Sequence, residues 1–250
     1  MRAVIFDLDG TLIDSAPDIH AAANSVLCEA GFEPLDFATI RGFIGRGVAH
    51  LLASALQHLG HSPDHPAKAA MIARFEHHYE TAHGLTRLYP NVQASLQRLQ
   101  QAGLDLAICT NKPMVPTQTV LAHFQMQQMF RVVIGGDSLP IRKPDPAPLL
   151  AAVTQLGLGV GDVLFVGDSE VDAETAQRAG IAFALFTEGY RKTDVAALPH
   201  QHVFSDCSAL PKIIGLSEPP DRRKDLGYAY GICAPFGTIL KEYVYVCHCL

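Results

Sequence analysis

Short, wholly apolar runs recur along this chain, each ending in acidic, glycine or hydroxyl residues, with stretches of helical periodicity between them. Residues 2–8 open the series: Ala3, Val4, Ile5 and Phe6 do not alternate with polar residues, so they predict a strand buried on both faces that delivers Asp7 to its carboxyl end. Residues 104–109, 132–135, 163–166 and 182–186 have the same character, each followed by a polar or glycine-containing turn. Helical patterns occupy residues 92–101, 116–123, 146–156 and 171–179.

Strands alternating with helices predict an α/β fold, a Rossmann-like parallel sheet covered on both faces and joined by right-handed crossovers. Ligands in such sheets bind beyond the carboxyl ends of the strands. The alternation breaks between residues 15 and 85, where helical patterns at 18–30, 37–43, 48–59 and 66–83 are separated by Gly31, Gly45, Gly47 and Gly60. This stretch predicts an inserted helical cap domain, with residues 1–14 and 86–216 forming the core. Its junctions lie close in sequence to the first two core strands, so it can hang over the sheet's active edge. From residue 217 to 250 the pattern degrades into a polar linker and an aromatic, glycine-rich tail, in which residues 243–246 offer at most an edge strand.

The 250 residues suffice for a core with a smaller insert, and 48% apolar against 18% charged residues is a balance that folds. A net charge of -6 leaves no basic surplus to neutralise a phosphate backbone, so nucleic acid is not an expected partner. A small phosphorylated ligand needs only one local cationic site. A strand follows the first two residues at once and no uncharged stretch approaches a membrane span, so neither a signal peptide nor a membrane anchor is expected. The six cysteines lack the spacing of a disulfide framework, and a reducing cytoplasm is the expected location. Cys247, His248 and Cys249 are adjacent but lack the usual spacing of a metal site.

Candidate chemistry gathers at the predicted strand ends. Asp7-Leu8-Asp9-Gly10-Thr11 follows the first strand, and a turn at Asp9 and Gly10 lets the two carboxylates converge. Converged anions repel, and a divalent cation relieves the repulsion. Ile108-Cys109-Thr110-Asn111-Lys112 supplies the Thr110 hydroxyl and the Asn111 amide, both suited to a transferring phosphoryl group. In Arg142-Lys143-Pro144-Asp145-Pro146, Lys143 precedes a helix and provides a fixed cation. Val166-Gly167-Asp168-Ser169-Glu170-Val171-Asp172 ends another apolar run; Asp172 lies one helical turn beyond Asp168 and can orient Lys143 or a metal-bound water. The same string also reads as a helix N-cap with acidic first-turn residues, and both readings can hold together.

These four strings, in this order, resemble the motifs of the haloacid dehalogenase superfamily, the first of them being Phe6-Asp7-Leu8-Asp9-Gly10-Thr11-Leu12. The resemblance implies a phosphatase in which Asp7 is the nucleophile, Asp9 the general acid and base, and Asp7, the Asp9 backbone carbonyl and Asp168 hold Mg2+. It also implies that the helical insert is a cap reading the rest of a small-molecule phosphate ester, in a monomer or homodimer. Within the superfamily, Asp14-Ser15-Ala16-Pro17-Asp18, Ile44-Gly45-Arg46-Gly47, Thr110-Asn111-Lys112-Pro113 and Val133-Ile134-Gly135-Gly136-Asp137 look most like the bacterial phosphoglycolate phosphatases, which implies hydrolysis of 2-phosphoglycolate to glycolate and phosphate. Arg46, flanked by glycines, is placed either to meet a substrate carboxylate or to face solvent in a helix–helix turn. A β-phosphoglucomutase-like phosphomutase shares the Asp7 chemistry, and a response-regulator receiver also phosphorylates an aspartate on a parallel sheet. A dehalogenase needs no second acid at the Asp9 position.

Overall fold

The first apolar run forms strand β1 (Ala3–Phe6), every residue of which is buried. After it come the short strand β2 (Ile13–Asp14) and four helices, α1 (Ala16–Glu29), α2 (Phe37–Arg41), α3 (Val48–His58) and α4 (Lys68–Tyr79). Strand β3 (Arg87–Leu88) returns the chain to the core, followed by α5 (Val92–Gln101), β4 (Asp105–Cys109), α6 (Met114–His123), β5 (Val132–Ile134), α7 (Ala147–Leu156), β6 (Val163–Gly167), α8 (Glu170–Ala179), β7 (Ala182–Phe186), β8 (His202–Phe204) and α9 (Leu210–Ile213). This computed structural model describes residues 1–80 and 83–216, so the expectations for residues 243–246 and for Cys247, His248 and Cys249 lie outside the described residues. No helix among the described residues is long and apolar enough to cross a membrane.

The six-stranded sheet has the order β5-β4-β1-β6-β7-β8, with every pairing parallel. Chain order runs outward from β1 to β4 and β5, then crosses back to β6 on its other side. That reversal leaves a crevice at the carboxyl ends of β1, β4 and β6. Because successive side chains point to opposite faces, each strand feeds two cores. Val4, Phe6, Leu106 and Ile108 pack with α5, α6 and α9, while Ile5, Ala107, Cys109 and Phe165 pack with α7 and α8.

The inserted helices bury their own apolar cluster, including Ile19, Leu27, Ile40, Leu52, Leu56 and Phe75. Helix α1 starts at Ala16, ahead of the expected boundary, because Pro17 falls in the first turn, where a missing N–H costs nothing. Helix α2 stops at Arg41, short of the expected residue 43, and Asp36 caps it by accepting from the Thr39 N–H at 3.0 Å. The pattern did not predict β8, two of whose three residues are exposed, nor the ribbon formed by β2 and β3. That ribbon pairs Ile13 with Leu88 and Asp14 with Arg87, bringing the outgoing and returning chains side by side.

Asp18 clamps the same junction. Its buried carboxylate accepts from the backbone N–H of Leu85 at 3.1 Å, the N–H of Thr86 at 2.7 Å and the Thr86 hydroxyl at 2.6 Å. Asp18→Ala would leave the two buried Thr86 donors unpaired, and we expect a loss of about 2–4 kcal/mol in urea-unfolding free energy. A loss below about 0.5 kcal/mol would show that the clamp contributes little.

Candidate active site

Asp7 extends the parallel ladder by one residue, its N–H donating to Val166 O at 2.9 Å, which fixes its side chain at the mouth of the crevice. The chain then curls: the N–H groups of Thr11, Leu12 and Ile13 all turn back on Leu8 O, and Gly10 takes φ +88°. Only glycine adopts that conformation without strain, and a Cβ at Gly10 would lie 2.5 Å from Asp168 Oδ2. The expected turn at Asp9 and Gly10 therefore exists, and its tightness also lets the β6 carboxylate approach.

Lys143 is buried at 3% exposure, with Nζ 3.0 Å from Asp7 Oδ1 and 2.6 Å from Asp172 Oδ1. Ser169 caps α8 and Asp172 closes a capping box with it, its Oδ2 accepting from the Ser169 hydroxyl at 2.6 Å. Both readings of that string hold: one carboxyl oxygen of Asp172 serves the helix terminus and the other orients Lys143. Asp168 accepts from the Thr11 hydroxyl at 2.7 Å and from the Tyr190 N–H at 2.6 Å. A Cβ on Gly189 would fall 2.3 Å from the Asp168 side chain, so bare backbone walls that carboxylate.

Asp7, Asp168 and Asp172 each place one oxygen within 4.8 Å of the others, all buried. Burial pushes the Asp7 carboxyl up to about 7; Lys143 opposes the rise, and Asp172 and Asp9 add to it. Asp168 is likewise raised well above the ordinary carboxylate range by burial, then by Asp172 and Asp7. Asp7 Oδ1 is buried and, although close to Lys143, has no well-directed hydrogen bond. An orphaned oxygen among crowded, hard carboxylate ligands suits a small divalent cation.

Asp9 is only partly buried and points toward the inserted helices, accepting from the Ser15 hydroxyl at 2.6 Å and from Lys112 Nζ at 3.1 Å. Thr110 is buried, and it and Asp9 line one cavity. Asn111 also lines the cavity, but its amide is committed to protein: Nδ2 donates to Gly45 O at 2.9 Å and Lys143 O at 3.0 Å, and Oδ1 accepts from Lys143 N at 3.0 Å. It ties the Lys143 loop to the cap. Arg46 is exposed and absent from the cavity lining, which includes its neighbours Gly45 and Gly47.

The cavity has a volume of about 200 Å³ and lies between the loops after β1 and β4 and the cap, with Ile19, Ile44, Val48, Leu51 and Phe75 on the cap side. Sequence reading overlooked two of its lining residues, Lys112 and Tyr79, although Lys112 stands in the quoted Thr110–Pro113 string. Their Nζ and hydroxyl oxygen are 2.5 Å apart. Burial alone would lower the Lys112 pKa, but Asp9 and Tyr79 outweigh it and hold the ammonium above its ordinary value. Tyr190 was also missed. Its hydroxyl accepts from the N–H groups of Ser15 and Ala16 and donates to Asp14, so one residue joins Asp168 to the cap junction. No local pattern marks either tyrosine.

Comparison with known proteins agrees with this geometry. The family model for haloacid dehalogenase-like hydrolases matches residues 4–186. A phosphoglycolate phosphatase of Cereibacter sphaeroides is 50% identical over 215 residues, covering 86% of this chain and 98% of its own length. One from Rhodobacter capsulatus is 48% identical over 212 residues, covering 85% and 96%. A crystal structure described as a predicted phosphoglycolate phosphatase from Haemophilus somnus superposes with a TM-score of 0.81 at 32% identity, covering 86% of this chain and 98% of that one. With the motifs at the ends of three neighbouring parallel strands and a helical insert above them, the chain belongs to the haloacid dehalogenase-like hydrolases.

Proposed function

We propose that this hydrolase is a magnesium-dependent phosphatase acting through a phospho-aspartyl intermediate on Asp7, with 2-phosphoglycolate as its substrate. The observation that carries the proposal is the buried Asp7 carboxylate, set against Lys143 and Asp168 and opening on one small cavity. The Asp7 side chain, the Asp9 backbone carbonyl and Asp168 would hold Mg2+, whose charge offsets that of the phosphoryl oxygens and the gathered carboxylates. Asp172 is already engaged by Lys143 and Ser169, and we assign it to positioning.

In the first half-reaction an Asp7 oxygen attacks phosphorus and the bond to the ester oxygen breaks, with Asp9 donating a proton to the departing alkoxide. In the second, Asp9 takes a proton from water as that water attacks phosphorus, which releases inorganic phosphate and restores the Asp7 carboxylate. Lys143 and the Thr110 hydroxyl stabilise charge on the phosphoryl oxygens. Asn111 acts indirectly, by holding the Lys143 backbone. The names of the relatives from Cereibacter sphaeroides and Rhodobacter capsulatus support the choice of substrate, as does a cavity of about 200 Å³ that suits a small ester.

A panel of small phosphate esters, followed by phosphate release, tests the proposal. We expect turnover of 2-phosphoglycolate, a loss of at least about 1,000-fold in Asp7→Asn, a trace in Asp9→Asn and none after chelation of the metal. Normal activity in either variant would overturn the assignment.

The raised Asp7 pKa adds a dependence on pH. The unfolded carboxyl ionises near its ordinary value of 3.8 and the folded one near 7, so between these values the metal-free native state holds the extra proton. The neutral carboxyl's contribution to stability is therefore complete at low pH and disappears as pH rises through about 7. In chelator, unfolding free energy should fall more steeply from about pH 5 to about pH 7.5 in the wild type than in Asp7→Asn. Parallel slopes would mean that Asp7 is ionised throughout.

A further inference from the structure

Lys112 stands apart from the chemistry assigned above. Among the described residues two lysines are buried: Lys143, which contacts Asp7 and Asp172 and does not line the cavity, and Lys112, which does line it. Among the described residues lining that cavity Lys112 is the one cationic side chain, while Asp7, Asp9, Glu76, Glu80 and Asp137 are acidic and much of the remaining wall is apolar. A second anionic group at the far end of a substrate would be repelled by the acidic residues and left unpaired by the apolar ones, and this ammonium is the one charge there that attracts it among the described residues.

An ammonium offers three N–H bonds. Among the described residues Lys112 Nζ donates to the Tyr79 hydroxyl at 2.5 Å and to one carboxylate, that of Asp9, whose Oδ1 lies at 3.1 Å and Oδ2 at 3.5 Å. Nζ also lies 4.1 Å from the centre of the Tyr79 ring, so the aromatic face helps to hold the charge in place. Lys112 comes from the loop after β4 in the core and Tyr79 from the last turn of α4 in the cap. The pair therefore assembles only when cap and core are together, at the point where the tail of a phosphate ester bound at Asp7 would lie.

We infer that Lys112, held by Tyr79, forms the subsite for the substrate's carboxylate and sets the preference for esters with an anionic tail. This deepens the proposed phosphatase function and rests on it. Arg46, the other candidate for that role, is exposed and outside the cavity lining. A carboxylate arriving at Lys112 would take over the long contact now made by Asp9 Oδ2 and have the Tyr79 hydroxyl beside it. Chemistry at phosphorus stays with Asp7, Asp9 and Lys143.

The experiment compares kcat/KM for 2-phosphoglycolate with that for ethyl phosphate, which has a methyl group in place of the carboxylate. It uses the wild type, Lys112→Met and Tyr79→Phe, each loaded with magnesium. Lys112 also touches Asp9, so Lys112→Met should slow both substrates, and the ratio is the informative quantity. We expect that ratio to fall about 10- to 100-fold in Lys112→Met, with a rise in KM for 2-phosphoglycolate, and by about 3-fold in Tyr79→Phe. Equal losses on both substrates would mean that Lys112 serves only to place Asp9, and would overturn the subsite. Should Lys112→Met fail to fold, an unchanged ratio in Tyr79→Phe, which keeps the ring, would overturn it equally. A wild type that releases phosphate from neither ester sinks the underlying phosphatase reading and the subsite with it, whereas brisk wild-type turnover with an unaltered ratio in the variants sinks the subsite alone.

Discussion

Three buried carboxylates, those of Asp7, Asp168 and Asp172, crowd within 4.8 Å of one another against one ammonium, that of Lys143. Fully ionised, the group would carry more negative charge than Lys143 can balance, in a setting with little water to screen it. Much of the neighbouring structure makes such crowding possible. Strand β1 runs between β4 and β6, so the residues that follow these strands meet at one point. Gly10 and Gly189 leave no side chain where Asp168 must sit. Asp172 is tied to Ser169, so it directs one oxygen at Lys143 without drifting toward Asp7. Such crowding brings the repulsion that the charge of a divalent ion would relieve.

The core was legible because its signals are local. An apolar run predicts a buried strand, the residue after it stands at the sheet's edge, and three such edges carried acidic or hydroxyl residues in a recognisable order. Asp7 and Asp168 follow from that logic, whereas Lys143, well past the end of β5, is singled out by its place before a helix and by the order of the motifs. The insert was legible for a similar reason, since helical periodicity persists over it while the strand signal stops. Strand β8 was not, because two exposed residues out of three leave no apolar run to detect.

Roles that depend on distant partners were not legible. Asn111 seemed suited to the phosphoryl group because an amide can serve one; its donors in fact go to Gly45 and Lys143, residues 66 and 32 positions away. Lys112 stood in a string that had already been singled out, but its meaning depends on Tyr79, 33 residues earlier in the chain. Tyr190 lies 176 residues from Asp14 and 22 from Asp168, so only the folded chain reveals that it joins them. Arg46 shows the converse. Flanking glycines made it conspicuous, yet the backbone at Gly45 makes the contact with the core.

Three contacts that hold the cap over the site have one property in common. Lys112 with Tyr79, Asn111 with the Gly45 carbonyl, and Arg41 with the Gly189 carbonyl are all polar, whereas the cap's apolar residues are gathered in a cluster of their own. Each of these groups can exchange its partner for water, so parting one pair costs about 0.5–1.5 kcal/mol, and somewhat more where a charge is involved. Three such contacts amount to roughly 2–5 kcal/mol. Because Asn111 also anchors the Lys143 backbone, and Gly189 adjoins the Tyr190 N–H bound to Asp168, the contacts that seat the cap also brace Lys143 and the carboxylate beside Asp7.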